Sequence, residues 1–241
     1  MLTSSILKTL SIAGFTAVAT IGTFASASNA AVVGTYNFEN SSNSASSVDP
    51  NLTFGGFTFT NASGSNSSTT FAPGNGGGLA YNVNTWGTNN ALVPNTNNYL
   101  SFTVNANPGY VMNLDSIGLD QQANNNGPRN WQIRSDRDNY ASAIGGELST
   151  STNNWASNSR TLGGANFTGL TNAVTFRIYA YNSVNNGNNG SWSVDNVTLN
   201  GSSAPVPEPL TIIGWGTALV AGGTLKRKFS SKKMSVPGKA S

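Results

Sequence analysis

Ser191-Trp192-Ser193-Val194-Asp195-Asn196-Val197-Thr198-Leu199-Asn200 is the stretch that decides the fold. Trp192 and Val194 alternate with Ser193 and Asp195, the period of two that sends successive side chains to opposite faces of a sheet. The same period recurs upstream, where Val174, Phe176 and Ile178 alternate with Thr175, Arg177 and Tyr179, and where Phe102 and Val104 punctuate residues 99–105. Residues 32–38, 79–86, 111–121 and 131–135 read as further strands. In 52–60, Gly55-Gly56 breaks the spacing of Phe54, Phe57 and Phe59, which predicts a bulge. Between these runs lie clusters such as Asn126-Gly127-Pro128, whose residues suit the positive φ of tight turns. No amphipathic helix stands out between the two ends of the chain. About nine short strands separated by turns predict an all-β fold, an antiparallel β-sandwich occupying residues 31–203.

Composition removes several chemistries. The 241 residues contain no cysteine and no histidine, so there is no disulfide frame, thiolate nucleophile, imidazole metal cluster or Ser/His/Asp triad. No lysine occurs between Lys8 and Lys226, which excludes a Schiff-base lysine from the body. The net charge of +3 and pI near 9.3 would ordinarily point to nucleic acid. The charge is distributed otherwise: between Ala31 and Pro209 five arginines face nine acids, and the basic surplus comes from Lys8 and six residues from Lys226 onward. Basicity here marks membrane topology, and no nucleic-acid partner is expected.

Residues 1–30 have the layout of a secretory signal peptide, with an early lysine, an apolar run and small residues that allow cleavage after Ala27 or Ala30. At the other end, a linker (204–209) carries Pro207-Glu208-Pro209. An apolar segment (210–225) and a basic tail (226–241) opening with Lys226-Arg227-Lys228 follow. As a transmembrane helix the apolar segment would be roughly 24 Å long, under the ~30 Å hydrocarbon core, so it spans only with thinning or snorkelling flanks. The basic tail then stays cytoplasmic.

This tripartite end closely resembles the PEP-CTERM sorting signal of exported proteins of Gram-negative bacteria and cyanobacteria. The resemblance implies an exosortase-type processing enzyme as partner and an inner-membrane precursor that is cleaved near the motif. The product would pass to the cell envelope, cell surface or extracellular matrix. A permanent single-span anchor is the alternative.

The closing strands, together with Tyr36-Asn37-Phe38-Glu39-Asn40, resemble carbohydrate-binding-module-like and galactose-binding-like jelly rolls. In those modules an early Glu and an Asp on the last strand often hold a structural Ca2+, which makes Glu39 and Asp195 the corresponding metal candidates here. Alternatively, both simply accept hydrogen bonds. Sugar binding needs flat apolar faces beside amides and hydroxyls. Trp131 and Trp192 fall on alternating strands as core residues, whereas Trp86 and Trp155 read as loop positions and are the glycan-stacking candidates. Arg134-Ser135-Asp136-Arg137-Asp138-Asn139, the densest charge in the body, reads as mutually neutralising pairs on a turn or as a polar ligand site. Gly74-Asn75-Gly76-Gly77-Gly78 lacks the Lys-Ser/Thr and helix of a phosphate loop. No catalytic residue stands out. The expected function is non-enzymatic binding to, or structural association with, extracellular polysaccharide. A hydrolase using a carboxylate pair and a matrix protein without a defined ligand are the alternatives.

Overall fold

The computed structural model describes residues 30–62, 66–86, 98–184 and 189–206. Ala27, the motif Pro207-Glu208-Pro209, the 210–225 segment and Lys226-Arg227-Lys228 lie outside the described residues, while Ala30 opens them and is exposed. Among the described residues no helix is long and apolar enough to cross a membrane.

The strands are β1 (Ala31–Tyr36), β2 (Ser47–Val48), β3 (Leu52–Phe54), β4 (Thr58–Thr60), β5 (Ser68–Pro73), β6 (Leu79–Asn84) and β7 (Tyr99–Ala106), followed by β8 (Tyr110–Ala123), β9 (Asn130–Ser135), β10 (Leu148–Ser149), β11 (Ala156–Thr161), β12 (Val174–Tyr181) and β13 (Ser191–Pro205). They form two antiparallel sheets, the expected sandwich. Sheet A runs β11-β8-β13-β1-β2, with β6 and β5 continuing beside the first part of β13. Sheet B runs β10-β9-β12-β7-β3, with β4 also on β7.

The long strand β13 organises sheet A. It lies on β8 along most of its length, while its other edge pairs first with β6 and then with β1. The exchange happens at a register shift between Asp195 and Thr198, where Asn196 adopts φ 47°. A left-handed residue of this kind is what a bulge needs, and Asn accepts it more readily than other non-glycine residues. The expected bulge at Gly55-Gly56 is also present. Phe54 pairs with Val104 and Thr58 with Ser101, leaving three residues opposite two.

Alternation places the core as expected. Val174, Phe176, Ile178 and Ala180 of β12 meet Leu100, Phe102 and Val104 of β7 between the sheets. Each large aliphatic or aromatic side chain withdrawn there contributes about 1.5–3 kcal/mol. Trp131 and Trp192 are fully buried. So is Trp86, which corrects its reading as a glycan-stacking residue. It leaves β6 and turns inward, stacks edge-on against Trp192 at 5.2 Å, and donates its indole N–H to the carbonyl of Ala180 at 2.8 Å. With both ring faces covered it can stack on no sugar. The strands that the alternation missed, β2, β5, β10 and β11, lie at sheet edges. Edge strands need only one hydrogen-bonded flank and little apolar surface; β11 reads Ala-Ser-Asn-Ser-Arg-Thr, with no apolar rhythm to find.

Candidate functional site

The outward phase of sheet B gathers aromatic and charged side chains. With Val174, Phe176 and Ile178 facing the core, Thr175, Arg177, Tyr179 and Tyr181 face the opposite way. Register sets Tyr99 of β7 and Gln132 of β9 on either side of Tyr179, and Arg134 of β9 beside Arg177. After β9 the chain folds back over this face. There Tyr140 covers one side of the Arg177 guanidinium at 3.8 Å from its ring centroid, and Tyr99 covers the other at 4.4 Å. Arg177 also donates to the hydroxyl of Tyr179, and the Tyr99 and Tyr179 rings lie 5.4 Å apart. Tyr179 and Tyr181 are buried, while Tyr99, Tyr140 and Arg177 are partly exposed. The Tyr181 hydroxyl donates to Glu147, which also accepts from Asn130.

The electrostatics of this face follow from partial burial. Burial, then the Glu147 carboxylate, raises the Tyr181 phenol above its ordinary range. Burial raises Tyr140 as well, against the opposing pull of Arg177. Burial alone would lower Arg177, but Tyr179 and its neighbouring phenols outweigh that and hold it above its usual value. Tyr140 and Tyr181 therefore stay neutral and the guanidinium charged at physiological pH. A tyrosine offers an apolar ring and a polar tip, and a stacked guanidinium fixes ring orientation while keeping a charged edge. Such a surface suits a ligand with apolar C–H patches and many hydroxyls.

None of these tyrosines was a candidate from sequence. The available signal was that β12 carries aromatic residues on the phase opposite Phe176 and Ile178, where an ordinary solvent-facing strand carries small polar ones. The charged hexapeptide after β9 also reads differently in three dimensions. Its side chains bond mainly to backbone groups, although Arg134 Nε and Asp136 Oδ1 are buried without a hydrogen-bond partner. Arg134 donates to the carbonyls of Tyr140 and Ala141, Asp136 accepts from the Thr175 amide, Arg137 donates to the Asn166 carbonyl, and Asp138 accepts from the amides of Ala141 and Ser142.

Glu39 and Asp195, the metal candidates, do meet, around the turn 74–79. Asp195 lies directly opposite Asp120 across β13 and β8, an arrangement of like charges that costs stability unless it is compensated. Asn75 bridges them: its amide N–H donates to Asp195 Oδ2 at 2.8 Å and its side chain to Asp120 Oδ2 at 3.0 Å. Asn196 does the same from the other side, at 2.7 Å to Asp195 Oδ1 and 2.9 Å to Asp120 Oδ2. Glu39 Oε1 accepts from the amide of Leu79. Burial, and then the charges of Asp120 and Glu39, raise Asp195 despite its two N–H bonds. Burial would raise Asp120 too, but hydrogen bonds from Ser157, Asn75 and Asn196 prevail and lower it.

Calcium needs six to eight oxygens, whereas these carboxylates face N–H groups. Among the described residues no group of three or more acids is arranged to hold a metal ion. The hydrogen bonds of these carboxylates anchor the glycine-rich turn to the sheet. Trp155 is half-buried just before β11, at the edge of sheet A, whereas the tyrosine face lies on sheet B. Elsewhere on sheet A, a depression of about 370 Å³ is lined by residues including Asn82, Gln122 and Asn124, without an aromatic ring.

No family model matches the chain, and no curated protein matches it. Among solved structures it is similar to the N-terminal CBM22-1-CBM22-2 tandem domain from Paenibacillus barcinonensis (TM-score 0.43, 8% identity, 76% of this chain and 48% of that one). It is similar also to the CBM22-1-GH10 modules of a Clostridium thermocellum endo-1,4-beta-D-xylanase complexed with xylohexaose (TM-score 0.37, 14% identity, 60% of this chain and 26% of that one). A third is the K3 adhesin domain of Lys-gingipain from Porphyromonas gingivalis (TM-score 0.42, 13% identity, 71% of this chain and 100% of that one). The chain thus spans under half the length of the first two.

Proposed function

We propose that this protein is an exported, non-enzymatic polysaccharide-binding protein of the cell surface or extracellular matrix, a jelly-roll sandwich that takes its ligand on the outer face of sheet B. The observation that carries the reading is the Tyr99–Arg177–Tyr140 stack on the side of the sheet turned away from the core. Aromatic rings there add nothing to the sandwich interior, and they offer the C–H stacking surface and hydroxyls that a pyranose chain requires. Of the acids near this face, Glu147 is bonded to Tyr181 and Asn130, and one oxygen of Asp136 accepts from the Thr175 amide. This supports binding over hydrolysis, which needs a carboxylate pair flanking the scissile bond.

Affinity electrophoresis through immobilised polysaccharides, guided by a glycan array, tests this reading. Tyr99→Ala and Tyr140→Ala should each weaken retention about tenfold, equivalent to ~1.4 kcal/mol, with unchanged melting. Retention equal to wild type in both variants would remove the face from the reading. A blank array at high protein concentration would leave a structural matrix component without a defined ligand.

The destination rests on residues 204–241, whose Pro207-Glu208-Pro209, apolar segment and basic cluster have the order of a PEP-CTERM signal. The mature chain should lack the segment from Lys226 onward. Intact mass from cells with and without an exosortase decides between processing and a permanent anchor.

A further inference from the structure

Tyr140 reaches the ligand face at a conformational cost. Asn139 and Tyr140 stand in succession at φ 57° and 59°, the left-handed region that a bulky residue avoids. Such strain persists only where surrounding contacts over-determine it, and it concentrates at functional sites.

The contacts that impose it converge from both sides. The Tyr140 amide donates to the carbonyl of Ser135 at 2.8 Å, and the Asn139 amide to that of Asp136 at 3.0 Å. Arg134 grips the far side of the turn, one of its terminal nitrogens donating to the carbonyls of Tyr140 at 2.6 Å and Ala141 at 2.8 Å. Asp138 holds the next two amides, Ala141 at 3.2 Å and Ser142 at 2.9 Å.

Arg134 occupies a position that cross-strand electrostatics disfavours, directly opposite Arg177 on the same face of sheet B. The two guanidiniums coexist because each has a different use. Arg134 is turned into the loop carbonyls, while Arg177 lies between the rings of Tyr99 and Tyr140.

We infer that Arg134 is a positioning residue for polysaccharide binding: by fixing the strained 139–141 turn it places the Tyr140 ring across Arg177 and so builds one wall of the ligand face. The inference rests on the sheet B reading of function, and the following experiment separates the two. Arg134→Met keeps length and removes the donors. It should weaken polysaccharide retention about tenfold, as Tyr140→Ala does, and should add nothing in the Tyr140→Ala background, the non-additivity expected when one residue acts through the other. Arg134→Lys, which keeps a donor in reach of the carbonyls, should recover part of the loss. Asp138→Asn, loosening the same turn from its exposed side, should act in the same direction and serves if Arg134→Met does not fold.

Ligand-free NMR supplies a readout independent of sugar. The Arg177 guanidinium protons should lose the Tyr140 share of their ring-current shift in Arg134→Met. An unchanged Arg177 signal together with wild-type retention would overturn the positioning role and leave the binding reading intact. Should wild type retain no polysaccharide, the binding reading falls and the Arg177 signal alone decides whether Arg134 places Tyr140.

Discussion

A methyl group at Gly78 separates two accounts of Glu39. Gly76 and Gly78 both stand at positive φ, 78° and 73°, in the turn 74–79. Any L-residue at either position carries the left-handed penalty of about 1–2 kcal/mol. The space around them differs. A Cβ on Gly76 meets nothing within 4 Å, whereas one on Gly78 would overlap Glu39 Oε1, the atom that accepts the Leu79 amide. Glu39 is partly exposed and its end is flexible, so the carboxylate would swing out and lose that bond.

Hydrogen bonds to charged groups contribute about 1.5–3 kcal/mol. Gly76→Ala should therefore cost about 1–2 kcal/mol, and Gly78→Ala about 2.5–5 kcal/mol. In a Glu39→Ala background the Gly78→Ala cost should fall to that of Gly76→Ala. Urea unfolding at neutral pH with excess chelator provides the assay, with stability read from the midpoint and slope. Equal costs at the two glycines, or no relief when Glu39 is removed, would refute the placement of Glu39 as an anchor of this turn.

Other outcomes follow from the same contacts. Chelator should leave the melting temperature unchanged. A calcium site loaded to a hundred times its Kd would add about 2.7 kcal/mol, so a rise of several degrees with calcium would restore Glu39 and Asp195 as ligands. Asp195→Asn removes a group whose folded pKa is raised by burial. Between the ordinary carboxylate value and that raised one, the native state binds more protons, so the ionised group costs stability as pH rises. The deficit of the variant relative to wild type should then be larger near pH 4 than at pH 7 in urea melts, and a deficit growing toward neutral pH would contradict the burial of Asp195. Trp86→Ala should cost about 3–5 kcal/mol from the cavity and the orphaned Ala180 carbonyl. Trp155→Ala should cost far less in the same melts. Near-equal losses would place Trp86 outside the core.

The chain declares its sheets locally. Alternation with period two needs only a few consecutive residues, so Val174 to Ile178, Trp192 to Val194 and the Gly55-Gly56 bulge were legible from sequence, and with them the antiparallel sandwich. The missing histidines and cysteines likewise exclude whole classes of chemistry at the level of composition. The side chains that form the candidate site were not legible in this way. Trp86 and Trp155 both read as loop residues, yet the inward turn after β6 buries the first against Trp192, while the second stays half-exposed beside an edge strand. Tyr99, Tyr140 and Arg177 become neighbours only through the register of β7, β9 and β12. Asp120 and Asp195 meet through the register of β13 on β8, and Asn75 and Glu39 reach them from the turns after β5 and β1. Which face of each strand is apolar is a property of nearest neighbours along the chain; which polar groups touch across that face is set by pairing between residues as far apart as Ala31 and Gly201, and only the tertiary structure decides it.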